Sequence, residues 1–334
     1  MMKFRTLLLP LLVLSVVASC KKEEVDKTYM DGTLRVSHNI PRYVSAGETY
    51  TMSATGITAP DGTGVGYSFR NPISKRTDTT SVYSYTVPDS LGTFSILVTA
   101  FPEKSVDLYY SSTSSVVFTV VSDARVGGSL ENLPVSLDSK TADLYSRTYV
   151  TLDRGGCEWI CSNLSRIDRD VSGNEVYGRS YLDCPAMQNI VGAYYTWEEA
   201  QTACPEGWRL PSDEDWVALM KTCGAPESLE PLQDSSSGAG ALMVKATVNG
   251  DAMWEYFRGV TITGQSNINV LPAGYATVSD GAYSFTGFGS YAAFWTSSEL
   301  GDSGVYRYIY QENDNVYVGL ADKKAFAASV RCVR

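Results

Sequence analysis

The chain has 334 residues, 44% of them hydrophobic, and a formal net charge of -10. That length predicts two domains of about 100 to 200 residues each, and the acidity, with no basic cluster beyond isolated Lys-Lys pairs, excludes nucleic acid or an anionic headgroup surface as a partner held by charge. The single histidine, His38, excludes a Ser/His/Asp triad and a HExxH zinc site, because no other candidate lies near it in the sequence.

In chain order, Lys3 and Arg5 precede an apolar run from Leu7 to Val17, which Val17-Ala18-Ser19-Cys20 closes. This order predicts a secretory signal peptide over residues 1–19. The run is shorter than the roughly 20 apolar residues of a spanning helix, it stops at Lys21-Lys22-Glu23-Glu24, and no other apolar run is long enough to span. The closing four residues resemble the lipobox of bacterial lipoproteins, which implies that Cys20 is acylated and becomes the first residue of the mature chain; an uncleaved anchor is the alternative. Several acyl chains at about 0.8 kcal/mol per buried methylene would hold such a protein on a lipid bilayer. Lys22-Glu23-Glu24 also resembles the acidic export signals of Bacteroidota lipoproteins, which implies an outer-membrane location with exposure at the cell surface.

Residues 20–32 are charged, polar and aperiodic and read as a tether. From residue 33 to 122 short β-rich runs alternate with turn residues: Thr33 to Val36, Thr49 to Ala54, Gly66 to Phe69, Val82 to Val87, Thr93 to Ala100 and Ser115 to Val121. Their spacing predicts an all-β antiparallel sandwich. Ala46-Gly47-Glu48-Thr49-Tyr50 and Val87-Pro88-Asp89-Ser90-Leu91-Gly92-Thr93-Phe94 resemble phrases of bacterial immunoglobulin-like or PKD-like domains, modules that commonly act as spacers.

Residues 123–144 contain Gly127-Gly128 and Pro134, alternate poorly and read as a linker, leaving a second domain over 145–334. Thr196-Trp197-Glu198-Glu199 is the pattern of a capping box, with Trp197, Ala200 and Ala203 on the inner face. Ser212-Asp213-Glu214-Asp215 repeats it ahead of Trp216, Leu219 and Met220, and Gly224 supplies a stop; Asp213, Glu214 and Asp215 suit a helix start. Residues 226–240 read as a Pro, Ser and Gly-rich loop, and β patterning returns after Val260. No cysteine lies between Cys20 and Cys157, so the six that follow predict three disulfides in an exported chain, with 15 possible connectivities. Paired CxxC or His ligands for zinc are absent.

Thr196-Trp197-Glu198-Glu199-Ala200, then Cys204-Pro205-Glu206-Gly207-Trp208-Arg209-Leu210-Pro211-Ser212, then Trp216 and Leu219, resemble the Fibrobacter succinogenes major paralogous domain. So do Leu271-Pro272-Ala273-Gly274, Phe294-Trp295-Thr296-Ser297-Ser298-Glu299 and Ser329-Val330-Arg331-Cys332-Val333, in the family's order across 145–334. The resemblance implies an α+β C-type-lectin-like fold and a disulfide between Cys204 and Cys332. Cys157 and Cys161, if on one strand, stand about 13 Å apart, too far to pair with each other, which favours Cys184 and Cys223 as their partners and leaves the pairing of these four open.

The Glu-Pro-Asn, Gln-Pro-Asp and Trp-Asn-Asp tripeptides of calcium-dependent lectins do not occur. Glu312-Asn313-Asp314-Asn315 could ligate calcium but resembles a polar hairpin turn, so no cofactor is expected. Formylglycine-generating enzymes share a related fold and use paired cysteines; here six cysteines have structural roles open to them, no carboxylate pair stands out as a glycosidase pair, and no catalytic residue is expected. Between Val305 and Val318, Tyr306, Tyr308 and Tyr310 alternate with Val305, Arg307 and Ile309, which puts three tyrosines on one face of a strand. With Trp295, Tyr317 and the turn from Glu312 to Asn315, they form the expected ligand surface for a glycan or a protein; the alternative is that the tyrosines cover the sheet or a domain interface. Retroelements diversify this kind of segment in some lectin-like proteins. The reading is a lipid-anchored adhesion protein without catalysis, against the alternatives of an accessory subunit of an outer-membrane complex or pilus, or an enzyme.

Overall fold

The computed structural model describes residues 26–124 and 126–334. The signal segment, Cys20 and the start of the tether lie outside the described residues. Among the described residues, no helix is long and apolar enough to cross a membrane. The chain is mostly β, arranged in many small sheets.

The first half contains no helix among its described residues. Asp31–His38, Thr49–Thr58 and Tyr83–Thr86 form one sheet, and Tyr43–Val44, Val65–Arg70, Thr77–Thr79, Gly92–Pro102 and Ser112–Val120 form another. The two enclose one core: Met52, Tyr83 and Tyr85 from the first meet Phe69, Ile96, Val98 and Phe118 from the second. Each of the six β-rich runs read from the sequence overlaps one of these strands; most strands extend the run by one to four residues, while Val82, Val87 and Val121 fall just outside theirs. The Asp31–His38 strand shifts register against its neighbour between Gly32 and Arg35, where Gly32 has φ +93° and a Cβ would stand 2.1 Å from the Gly56 carbonyl oxygen. Only glycine fits such a bulge.

Part of the expected tether is strand. Thr28–Tyr29 pairs in parallel with Tyr109–Tyr110, the Thr28 amide donates to the Leu108 carbonyl at 2.9 Å, and the Tyr29 and Tyr110 rings lie 5.1 Å apart. Polar composition hid this because the pairing rests on backbone groups. The expected linker also carries structure: Leu130–Glu131 pairs with Thr247–Val248, and Lys140–Leu144 pairs with Arg147–Arg154. The halves touch through Tyr43, whose ring lies 5.8 Å from Tyr181 and 5.9 Å from Phe288, and through Asn249, which donates to the Val120 carbonyl at 2.9 Å.

The second half mixes short helices with sheets. Both capping boxes form: the Thr196 hydroxyl accepts from the Glu199 amide ahead of Trp197–Ala200, and the Ser212 hydroxyl from the Asp215 amide ahead of Asp213–Thr222. Trp216, Leu219 and Met220 turn inward onto Trp159, Phe294 and Ile309. The C-terminal segment threads back through this half, with Val333 bridged to both Trp159 and Arg209, and Cys204 is bonded to Cys332 with Cα atoms 5.7 Å apart.

Of the three expected disulfides, Cys204–Cys332 forms and the other two do not. Cys157, Cys161, Cys184 and Cys223 are free, because the fold seats them in different places. Cys184 packs beside Tyr181 and Met187, while Cys223 packs beside Trp216 and Leu219. The Cys157 thiol donates to Asp215 Oδ1 at 3.4 Å. Burial raises all four thiols, Cys161 to about 11, so they stand as thiols rather than thiolates at neutral pH.

Candidate functional site

Tyr291–Leu300, Ser303–Tyr310 and Val316–Asp322 form an antiparallel sheet near the C-terminus, with Tyr308 opposite Ala293 on one side and Tyr317 on the other. Val305, Arg307 and Ile309 are buried, and Tyr306, Tyr308 and Tyr310 share the opposite, half-exposed face. The period-two reading of this segment therefore holds. What it misses is the inner face, where Arg307 lies at 0% exposure.

Arg307 donates from Nε to Asp213 Oδ1 at 2.6 Å and from Nη2 to Oδ2 at 2.7 Å, and from Nη1 to the Gln233 carbonyl at 2.7 Å. Asp213 also accepts from the Leu232 amide at 2.7 Å. A buried charge needs this kind of two-point partner and satisfied remaining donors. Asp213 thus does more than favour a helix start: it neutralises the cation that lets the strand turn its tyrosines outward. The signal in the sequence was an arginine at an inward position between two apolar residues.

On the outward face the rings stack in rows. Tyr317 lies 4.9 Å from Tyr308 at 18°, and Tyr308 lies 5.0 Å from Tyr291 at 15°. Beside them Tyr306 meets Phe326 at 4.8 Å, and Phe326 meets Tyr275 at 5.1 Å and 24°. Tyr306 lies over Gly319 on the neighbouring strand, where a Cβ would come within 2.1 Å of its ring, so glycine is required for the close approach. These rings, with Thr286, Gly287 and Ser290, line a cleft of about 640 Å³.

Burial pushes the Tyr291, Tyr306 and Tyr308 phenols above their ordinary range, and the hydrogen bond to the Glu312 carboxylate, at 2.9 Å, raises Tyr310. All four therefore remain neutral donors through the physiological range. No hydrogen bond among the described residues ties up the Tyr308 hydroxyl. Because Tyr291 and Tyr317 cover the two faces of Tyr308, the arrangement offers the cleft an apolar row of ring edges and neutral hydrogen-bond donors.

Two members of the expected site are placed differently. Trp295 stands opposite Tyr306 and so on the same face of the sheet, but it is at 0% exposure, its indole N–H donating to the Tyr195 carbonyl at 2.8 Å and its ring packed edge-on against Tyr306 and Phe326, so it is covered instead of open to a ligand. The Glu312–Asn315 turn is pinned instead of free. Asp314 accepts from the Gly240 amide at 2.6 Å and the Gly238 amide at 3.2 Å, and Asn313 Oδ1 accepts from the Asn315 amide at 3.0 Å. The Asn313 and Asn315 amides both donate to the Tyr317 hydroxyl, at 2.8 and 3.2 Å, so the turn fixes the end of the ring row. Among the described residues, no group of three or more His, Cys, Asp or Glu side chains is placed to hold a metal ion. His38 is exposed on a strand of the first half.

A family model described as the Fibrobacter succinogenes major domain matches residues 154–334. No curated protein matches the chain.

Proposed function

Because the chain belongs to the Fibrobacter succinogenes major domain family, we propose that it is a lipid-anchored surface protein whose C-terminal half binds a glycan in the tyrosine cleft without catalysis. The single observation that carries this is the near-parallel row of Tyr291, Tyr308 and Tyr317 along an open cleft. The apolar face of a sugar ring packs across the exposed edges of this row, and neutral phenols such as that of Tyr308 supply hydrogen bonds to its hydroxyls. In this reading the second half is a C-type-lectin-like fold, supported by the bridge that returns Cys332 to Cys204 just after the Trp197–Ala200 helix. The first half is an immunoglobulin-like spacer, supported by two sheets around one core. The lipobox-like Val17-Ala18-Ser19-Cys20 supports the anchor at Cys20.

The test uses the Cys20→Ser chain, which should leave the membrane fraction, on an array of microbial, dietary and host glycans. Retention of a neutral polysaccharide is expected, with Tyr308→Ser weakening it roughly tenfold, equivalent to about 1.4 kcal/mol, while the melt stays cooperative and falls by only a few degrees. Absence of any retained glycan, or binding indifferent to Tyr308→Ser, rejects the reading; a protein partner recovered by cross-linking intact cells through the same tyrosines would replace it.

A further inference from the structure

A second cavity, of about 570 Å³, lies between the 130–135 segment and the body of the second half and shares no lining residue with the tyrosine cleft. Its volume is that of a small-molecule site. Leu130, Leu133, Ile190 and Leu271 supply apolar walls, and no Asp or Glu is among its described lining residues.

Two polar groups in it lack their natural complements. Asn269 is 8% exposed, its Nδ2 donates to the Pro134 carbonyl at 3.1 Å, and its Oδ1 finds no partner among the described residues. The bond to Pro134 fixes which way the amide faces, so the orphan is an acceptor, and a buried acceptor left unmade is costly. Arg147 bonds only Ser165 Oγ at 2.9 Å and the Asn189 side chain and carbonyl, both at 2.8 Å, and has no carboxylate partner among the described residues. Asn189 in turn donates to the exposed Asp123.

Behind the cavity sits a second unpaired cation. Arg331 is at 0% exposure and donates to the Asn163 side chain at 2.8 Å and to the carbonyls of Ile160, Ile268 and Asn269 at 3.1, 2.6 and 3.0 Å. Every one of these acceptors is neutral, and burial holds the guanidinium down to about 10. Asn163 and Asn269 belong both to this network and to the cavity lining. A low-dielectric site with cations and no anion attracts negative charge.

We propose that this cavity is a binding site for a small amphipathic anion: an apolar body, an N–H or O–H that donates to Asn269 Oδ1, and an acidic group held by Arg147. The site is independent of the glycan cleft.

The probe is 1-anilinonaphthalene-8-sulfonate, which combines two apolar ring systems, one N–H donor and a sulfonate, titrated by fluorescence into the Cys20→Ser chain. One saturable site per chain is expected. Arg147→Met and Asn269→Leu should each weaken it roughly tenfold or more, and Tyr308→Ser should leave it unchanged. Thr141→Trp, at an exposed lining position, should occlude the cavity without touching a core, which keeps the test decisive if Arg147→Met or Asn269→Leu fails to fold. Absence of saturable binding, binding unaffected by Thr141→Trp, or binding lost in Tyr308→Ser overturns the proposal.

Discussion

The strands Tyr83–Thr86 and Ser303–Tyr310 both alternate tyrosine with other residues, and they turn opposite sides to their cores. In the first, Tyr83 and Tyr85 are buried and Ser84 and Thr86 are exposed. Tyr83 stacks on Phe69 at 5.2 Å and Tyr85 meets Phe118 at 5.5 Å, because the five-stranded sheet lies across them. In the second, the tyrosines face the open cleft, and Val305, Arg307 and Ile309 take the inner side. A hydropathy argument would have buried Tyr306 and Tyr308 and exposed Arg307. What reverses it is Asp213, presented by a helix 94 positions earlier. The direction a strand faces is therefore a property of what packs against it.

The two halves also differ in how they are held, and that difference predicts the largest effect. The Cys204–Cys332 bridge spans 128 residues of the second half, while the first half has no cysteine between Cys20 and Cys157. Closing such a loop is worth about 4 to 5 kcal/mol in the chain-entropy account. Cys204→Ala and Cys332→Ala should each lose about that much, and the double variant little more, because either change opens the same loop. All six tryptophans lie in the second half, so urea unfolding followed by tryptophan fluorescence reads it selectively. Additive losses, or reduction that leaves this transition unmoved, would separate the bridge from the stability of the second half.

Removing the reversal itself comes next. Asp213→Ala leaves Arg307 buried without its counter-charge and should cost about 3 to 5 kcal/mol by the same readout. Replacing both partners with apolar residues, as in Asp213→Leu with Arg307→Met, should recover much of that. A loss from Asp213→Ala below about 1 kcal/mol would mean that something other than the ion pair turns the strand.

The tyrosines then sharpen the comparison directly. Tyr85→Ala should cost about 3 to 5 kcal/mol, as buried aromatic truncations do. Tyr85→Phe should be neutral or stabilising, because the Tyr85 hydroxyl is buried without a partner among the described residues. Tyr308→Ser should cost only about 1 kcal/mol while abolishing stacking. Calorimetry of the three variants decides it, and equal losses for Tyr85→Ala and Tyr308→Ser would place both tyrosines in cores.

The smallest effect is on acidity. Burial raises the Asp215 carboxyl, but hydrogen bonds from Arg209 and the Ser212 amide outweigh it and hold the group below its usual range; Arg334 does the same for Glu158. A folded pKa below the unfolded value, about 3.9 for Asp, contributes stability that is complete above that value and drains away as pH falls through the folded one. Tryptophan-reported stability should decline below about pH 5, and Asp215→Asn should flatten that decline while weakening the cap of the Asp213–Thr222 helix. An unchanged profile in Asp215→Asn would remove this carboxylate from the acid response.

The sequence was most informative where structure depends on near neighbours. The six β-rich runs of the first half, the capping boxes at Thr196 and Ser212, and the shared face of Tyr306, Tyr308 and Tyr310 are all set by hydrogen bonds and side-chain periods spanning a few residues. The Cys204–Cys332 pairing was legible only through resemblance to a family, since 15 connectivities were open. Trp295 was read as open because its apolar character and its neighbourhood in the chain are the same whether its ring is exposed or covered by Tyr306 and Phe326.

Tertiary structure decided the rest, for one physical reason: burial and charge compensation are relations between residues far apart in the chain. Arg307 could go inside because Asp213 was brought to it, and Asp314 became a clamp because the Gly238 and Gly240 amides arrive from 74 to 76 positions away. Four cysteines stayed free because their surroundings never brought two thiols together. Asn269 and Arg147 came to line one cavity, 122 residues apart by number, without any pattern in the sequence to connect them.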